Sequence, residues 1–208
     1  MSSDIRIRKG LDIQLKGKAD AITKPAPLAA VYGIKPAEFH RVIPKLIARE
    51  GATLKAGDAV FYDKRDERVL FPSPVSGTIT EIIRGERRKI LEIRITPDAT
   101  QSFQDFGKKE INSLSPEQIK EHLLESGAWP LIKQRPYDVI ASPDSQPKEI
   151  FISACKTNPL APDYDYVLKG KEKELQVALT ALSKLTTGKV HVSVFKDSSL
   201  SPFRSLKD

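Results

Sequence analysis

Cysteine is nearly missing from this chain, since among 208 residues only Cys155 carries a thiol. A single thiol cannot build an internal disulfide framework, which agrees with a reducing compartment. Nor can it hold an iron–sulfur cluster, which normally takes four thiolates. Histidine is scarce too. His40, His122 and His191 stand far apart without a ligand spacing, so neither a zinc site nor a hydrolytic triad is expected. No apolar run approaches the ~20 residues that span a bilayer. The opening MSSDIRIRKG has no apolar signal-peptide core. A cytoplasmic chain without a transmembrane segment is therefore expected. The formal charge is +7 and the pI about 9.4, yet the aromatics do not interleave with a basic face as a base-stacking platform requires. No nucleic acid is expected as a partner; an anionic membrane surface or an acidic partner subunit fits the excess equally well.

What is present is the composition of a soluble globular protein, 39% hydrophobic and 29% charged, long enough for one or two domains of roughly 100 to 200 residues. Ile5–Arg8 and Leu11–Leu15 alternate apolar and polar residues, the period of half-buried strands. Pro36 and Pro44 keep residues 31–47 to short strands or turns. In residues 50–83, two short apolar runs are each preceded by turn chemistry. Lys55-Ala56-Gly57-Asp58 leads into Ala59-Val60-Phe61, and Pro72, Pro74 and Gly77 lead into Thr78, Ile79, Ile82 and Ile83. The charged segment Tyr62–Arg68 between them is expected to be an exposed connection. A hairpin then runs from Thr78 to Ile95, turning at Arg84-Gly85-Glu86.

This pattern, with Gly57-Asp58, Asp63-Lys64 and Pro72-Ser73-Pro74-Val75-Ser76-Gly77, resembles the biotinyl/lipoyl carrier fold. The resemblance implies an all-β barrel-sandwich domain over residues 1–100. It also puts Lys64 where that family carries its acylated lysine. Pro-x-Pro follows the lysine more closely in the lipoyl pattern than here, so a longer hairpin and an unmodified Lys64, a solvated charge, are expected. The alternative is a carrier domain bearing biotin or lipoate on Lys64.

Residues 101–113 read as a linker, after which helical signals begin. Ser115-Pro116-Glu117-Gln118 combines a serine N-cap, proline at the first helical position and a capping-box glutamine, and the helix stops near Gly127. Residues 149–155, 171–187 and 189–195 read as strand, helix and parallel strand, with Leu175, Ala178, Leu179, Leu182 and Leu185 at helical spacing. This is a partial Rossmann-like α/β domain over residues 114–208, to which Tyr137–Ile140 adds a third strand. Two or three strands leave a parallel sheet incomplete, so the chain is expected to be an N-terminal fragment. The loop after Cys155 has no glycine until Gly170, so no G-x-G-x-x-G cradle for NAD or flavin is expected.

The whole arrangement resembles the NqrA family, which forms one subunit of the sodium-translocating NADH:quinone oxidoreductase, and, more distantly, the C subunit of the Rnf complex. The likeness is carried in order by Arg8–Asp12, Glu50-Gly51 to Lys64, Pro74–Gly77 with Arg84–Arg88, Ser126–Trp129, Thr157–Ala161, and Leu182-Ser183 with Gly188–Val192. It implies a peripheral subunit on the cytoplasmic side of the inner membrane, in a complex that carries electrons from NADH to quinone and exports sodium. Its partners would be the other subunits, which hold the flavin and iron–sulfur centres, and quinone, a ligand of the full-length subunit. No catalytic residue, metal or covalent cofactor is expected in this chain. Lys156 stands where the family pattern suggests an acid. Trp129, Cys155, Thr157, Asn158 and Pro159 form the candidate functional face.

Overall fold

The computed structural model describes residues 13, 15–17, 19–156, 158–196 and 201–206. The strands expected at Ile5–Arg8 and Leu11–Leu15 lie largely outside these residues, as does the Arg8–Asp12 segment. The chain forms two compact units, one of Ala26–Gln146 and one of the residues up to Pro25 together with those from Pro147 onward.

The first unit holds β1 (Tyr32–Ile34), β2 (Pro44–Leu46), β3 (Thr53–Leu54), β4 (Ala59–Asp63), β5 (Asp66–Pro72), β6 (Gly77–Arg84) and β7 (Ile90–Pro97). They form two antiparallel sheets, ordered β1-β7-β6-β3 and β2-β4-β5. The core is apolar: Val60, Phe61, Val69 and Phe71 come from one sheet, and Ile79, Ile93 and Ile95 from the other. Val60 and Phe61 are neighbours, yet both are buried. The ladder shifts register between Ala59 and Phe61, and a bulge of this kind turns consecutive side chains inward. Phe61 stacks on its cross-strand partner Phe71 at 4.4 Å, and Phe39 closes the cluster edge-on at 4.7 Å.

The turns stand where the sequence marks them. Lys55 N–H donates to Asp58 Oδ2 (2.7 Å), and Gly57 takes φ +100°, open to glycine without steric cost. The Ser73–Gly77 turn is buried and internally satisfied. Ser73 Oγ donates to Val75 O (2.6 Å), while the Gln101 side chain accepts from Ser76 N–H (2.8 Å) and donates to Ser76 O and Asp98 O. Gln101 therefore begins no free linker. Ala56 N–H donates to Ser102 O and Gln104 N–H to Ala56 O, so residues 101–104 run beside the barrel and use backbone groups that a buried turn would otherwise leave unpaired.

The segment Tyr62–Arg68 also differs from expectation. The strands β4 and β5 continue through it, and only Lys64 and Arg65 form the turn. Charge does not prevent pairing here because the side chains stay solvated and find partners. Tyr62 Oη donates to Glu67 (3.1 Å), and Arg68 clamps Asp66 (2.6 Å) and Asp144 (2.8 Å). Hydrogen bonds from Arg68 hold both aspartates below the usual carboxylate range. A depressed folded-state pKa contributes stability that is complete above the unfolded value of about 4 and is lost as pH falls through the folded value. The melting temperature is thus expected to drop on acidification below that range, and Arg68→Gln to flatten the drop, in thermal unfolding followed against pH. The group is exposed, so its contribution is small.

Helix α1 (Pro116–Glu125) opens with the expected capping box: Gln118 N–H donates to Ser115 Oγ (3.3 Å) and Ser115 N–H to Gln118 Oε1 (2.9 Å). It closes in a Schellman motif, with Ala128 N–H on Leu123 O and Gly127 N–H on Leu124 O, at Gly127 φ +69°. Ile119 and Leu124 are buried, and the helix packs on β5. A two-stranded antiparallel hairpin, β8 (Lys133–Gln134) with β9 (Val139–Ile140), completes this unit. Val139–Ile140 is therefore not a third strand of the parallel sheet. The hairpin turn, with Asp138 at φ +52°, folds it back on β8, and Ala141 O receives the Trp129 indole N–H.

The second unit contains β10 (Ile150–Ser153), α2 (Tyr164–Val167), α3 (Glu172–Ser183) and β11 (Val190–Ser193). β10 and β11 pair in parallel, Ile150 opposite Val190 and Ser153 opposite Ser193, joined through α3 as the periodicity indicates. Glu149 ties the strand starts together, accepting from Lys189 N–H (2.8 Å) and lying 2.8 Å from His191 Nε2. These contacts hold its carboxyl below the ordinary range. The short α2 goes beyond the sequence reading.

Candidate functional site

Parallel α/β sheets present ligands at the C-terminal ends of their strands. There the second unit has an apolar cleft of about 270 Å³. One wall is the end of β10, Ile152 to Ala154; the others come from Tyr164 and Leu168 of the α2 segment, Leu175 and Leu179 of α3, and Phe203 of the 3-10 turn Pro202–Ser205. The spacing of Tyr164 and Leu168, and of Leu175 and Leu179, places each pair on one helical face. In the sequence the α3 stripe reads as plain core, whereas here part of it faces a cavity. Tyr164 and Phe203 had only their aromatic character as a signal, and no motif marked them.

Polar groups are few and mostly engaged. Ser153 Oγ donates to Cys155 O (2.9 Å). Lys156 Nζ stands 5.5 Å from the centre of the Tyr164 ring. Asp163 caps α2, its Oδ1 accepting from Asp165 N–H (3.0 Å) and Tyr166 N–H (3.2 Å). That carboxylate therefore serves the backbone as the cap of the short helix.

The sequence-derived face divides between the units. Cys155, half-buried, follows Ala154 of the cleft wall, and Asn158 and Pro159 are exposed on the loop beyond it. Thr157 lies outside the described residues. Trp129 belongs to the first unit and is only 5% exposed, its indole N–H given to Ala141 O at 2.8 Å. It is a core anchor and offers no ligand surface, because α1 and β9 close over a ring too apolar to leave in water. Lys64 is exposed at the apex of the β4–β5 turn, its N–H donated to Ile43 O. Among the described residues, no three histidine, cysteine, aspartate or glutamate side chains converge as metal ligands.

Comparison with known proteins places both units. Residues 5–98 match the model of the NqrA N-terminal barrel-sandwich hybrid domain, and residues 114–207 that of the NqrA second alpha/beta domain. The second match begins at α1, so residues 114–146 belong to its sequence pattern while packing with the barrel strands. The NqrA protein of the Na(+)-translocating NADH-quinone reductase of Yersinia pseudotuberculosis serotype O:1b is 37% identical over 190 residues, covering 90% of this chain and 42% of that protein. The protein of the same name from Haemophilus influenzae strain PittGG is 36% identical over 199 residues, covering 94% of this chain and 44% of its own length. The chain thus spans about two fifths of these curated relatives. Two domain models in sequence order, on a barrel-sandwich and a parallel α/β unit of matching kind, establish that the chain belongs to the NqrA family.

Proposed function

We propose that the full-length protein is a peripheral, cytoplasmic-side subunit of a sodium-translocating NADH:quinone reductase, contributing assembly and quinone interaction rather than a redox centre of its own. The observation that carries this reading is the ordered pair of domain matches, supported by relatives that bear that enzyme's name. Peripheral attachment accords with the described residues, none of whose helices is long and apolar enough to cross a membrane. The partners are the other subunits, where the flavin and iron–sulfur chemistry resides, and this fragment alone is inactive. Affinity isolation of the tagged full-length protein from its own membranes should bring those subunits with it. A chain that purifies alone would contradict the reading.

The cleft beside Cys155 is the proposed quinone contact. Its apolar walls suit a quinone ring, its volume of about 270 Å³ is that of a headgroup rather than of a long tail, and Tyr164 brings a hydroxyl donor for a quinone carbonyl. A photoreactive quinone analogue added to the intact complex should label the peptides carrying residues 152–156 and 164–179, and excess quinone should suppress the label. Labelling confined to other subunits would remove the assignment.

One observation favours the carrier reading: Lys64 stands exposed at the tip of a two-residue turn, the presentation an acylating enzyme needs. The subunit reading predicts an intact mass equal to that of the unmodified sequence when the full-length protein is isolated from its own cells. An increment of biotin or lipoate size would establish the carrier instead.

A further inference from the structure

Three loops meet at one end of the barrel-sandwich unit. The segment Phe39–Ile43 adjoins the β4–β5 turn, where Lys64 N–H donates to Ile43 O (2.8 Å) and Asp63 Oδ1 accepts from Ile43 N–H (3.2 Å). It also adjoins the β6–β7 hairpin: Arg41 and Val42 share with Lys89 and Ile90 the walls of a groove of about 200 Å³.

These loops are basic and their charges are not neutralised. Arg41, Arg84, Arg87, Arg88 and Lys89 are exposed, and none has a described carboxylate within ion-pair distance. Elsewhere in the unit Arg68 is matched to Asp66 and Asp144, Arg94 to Glu81 and Glu92, and Arg135 to Asp138, while Arg49 stands alone without a described carboxylate at ion-pair distance. The acids of the same loops are Glu38, Asp63, Asp66 and Glu86; the Asp63 carboxylate is already engaged by the backbone N–H groups of Ile43 and Arg65, and Asp66 by Arg68. Arg41, Arg87 and Arg88 all take left-handed φ, +65°, +53° and +59°. Such a conformation persists in non-glycine residues only where the surroundings hold it. Here Gly85 N–H donates to Lys89 O (2.8 Å) and Arg84 Nη1 to Arg88 O (3.2 Å). Exposed aliphatic side chains flank the cations, Ile43 at 46% and Leu91 at 41%.

The spread of charge selects the partner. Only Arg41 and Lys89 line the groove, so an acidic peptide lying in it would leave the hairpin arginines unused. A planar array of phosphates meets cations on separate loop tips together, and the flanking aliphatic groups enter the headgroup boundary. We propose that this end of the barrel-sandwich unit rests on anionic phospholipid, with lipid phosphates held by Arg41, Arg84, Arg87, Arg88 and Lys89. The inference builds on the membrane-complex reading above and adds a lipid contact to it.

The full-length protein can be sedimented with vesicles of phosphatidylcholine alone and of phosphatidylcholine mixed with phosphatidylglycerol. Preferential binding to the anionic vesicles, weakened by salt, is expected. The combined variant Arg41→Asn, Arg87→Asn and Arg88→Asn should lose affinity on the order of a hundredfold, about fivefold for each juxtamembrane cation. Asparagine is chosen because it tolerates left-handed φ, and an unchanged melting temperature verifies the fold. Arg68→Gln, on a paired arginine, should bind as the parent does. Equal binding to neutral and anionic vesicles, or a triple variant that binds like the parent, would overturn the contact. Co-purification with the reductase reports separately. A protein that joins the complex yet ignores anionic vesicles refutes the lipid contact alone, whereas one that binds them without joining the complex supports the contact and refutes the subunit reading.

Discussion

Truncating Phe71 to alanine is expected to destabilise the barrel-sandwich unit by about 3–5 kcal/mol, the usual cost of deleting a buried phenyl ring. Phe71 is 2% exposed and touches two further rings, Phe61 stacked at 4.4 Å and Phe39 edge-on at 4.7 Å, so the cavity cannot collapse without breaking that cluster. Domains are commonly stable by only about 5–15 kcal/mol, so this one ring is a large share of the total. The melting temperature should fall by roughly 10 °C or more. Phe71→Leu, which keeps most of the volume, should cost much less. A shift of a degree or two in Phe71→Ala would show that the three rings are not the centre of the core.

Gly127→Val carries the second large effect, for two separable reasons. The residue ends α1 at φ +69°, where a side chain costs roughly 1–2 kcal/mol and a β-branched one more. A Cβ there would also stand 2.6 Å from Pro72 Cδ, so α1 would have to lift from β5. Overpacking typically adds about 1–3 kcal/mol. Gly127→Asn separates the two, because asparagine tolerates left-handed φ but still meets Pro72. Denaturant unfolding should rank the parent above Gly127→Asn and Gly127→Val lowest. Equal stability of all three would show that α1 does not press on β5.

The elements most readable from sequence are those written locally. Ser115 with Gln118, Gly127, and the Lys55–Asp58 turn each place their hydrogen bonds within a few residues, so the residue types nearly dictate the geometry. The strand–helix–strand order of β10, α3 and β11 was equally readable, because hydrophobic period changes where the element does. Two things were hidden. Charges masked the continuation of β4 and β5, since Arg68 reaches Asp144, far along the chain, to make an exposed ladder tolerable. Tertiary packing also decided where α1, Trp129 and β9 belong, and no local pattern reports that Pro72 will meet Gly127. Of the candidate face, Cys155 follows the cleft-wall residue Ala154 but is not itself among the residues that line the cleft. The strand-end position pointed to Cys155 and the loop beyond it. The cleft, however, is made by Tyr164, Leu179 and Phe203, whose side chains converge only through the fold. Arg41 and Lys89, too, come together across the basic groove only through the fold.

The most direct test of the account is the sodium-stimulated NADH:quinone reductase activity of membranes from cells that lack the full-length protein. This activity is expected to fall to background while the other subunits are still present, and a full-length copy is expected to restore it. Membranes that keep the full sodium-stimulated rate without the protein would contradict its place in the complex.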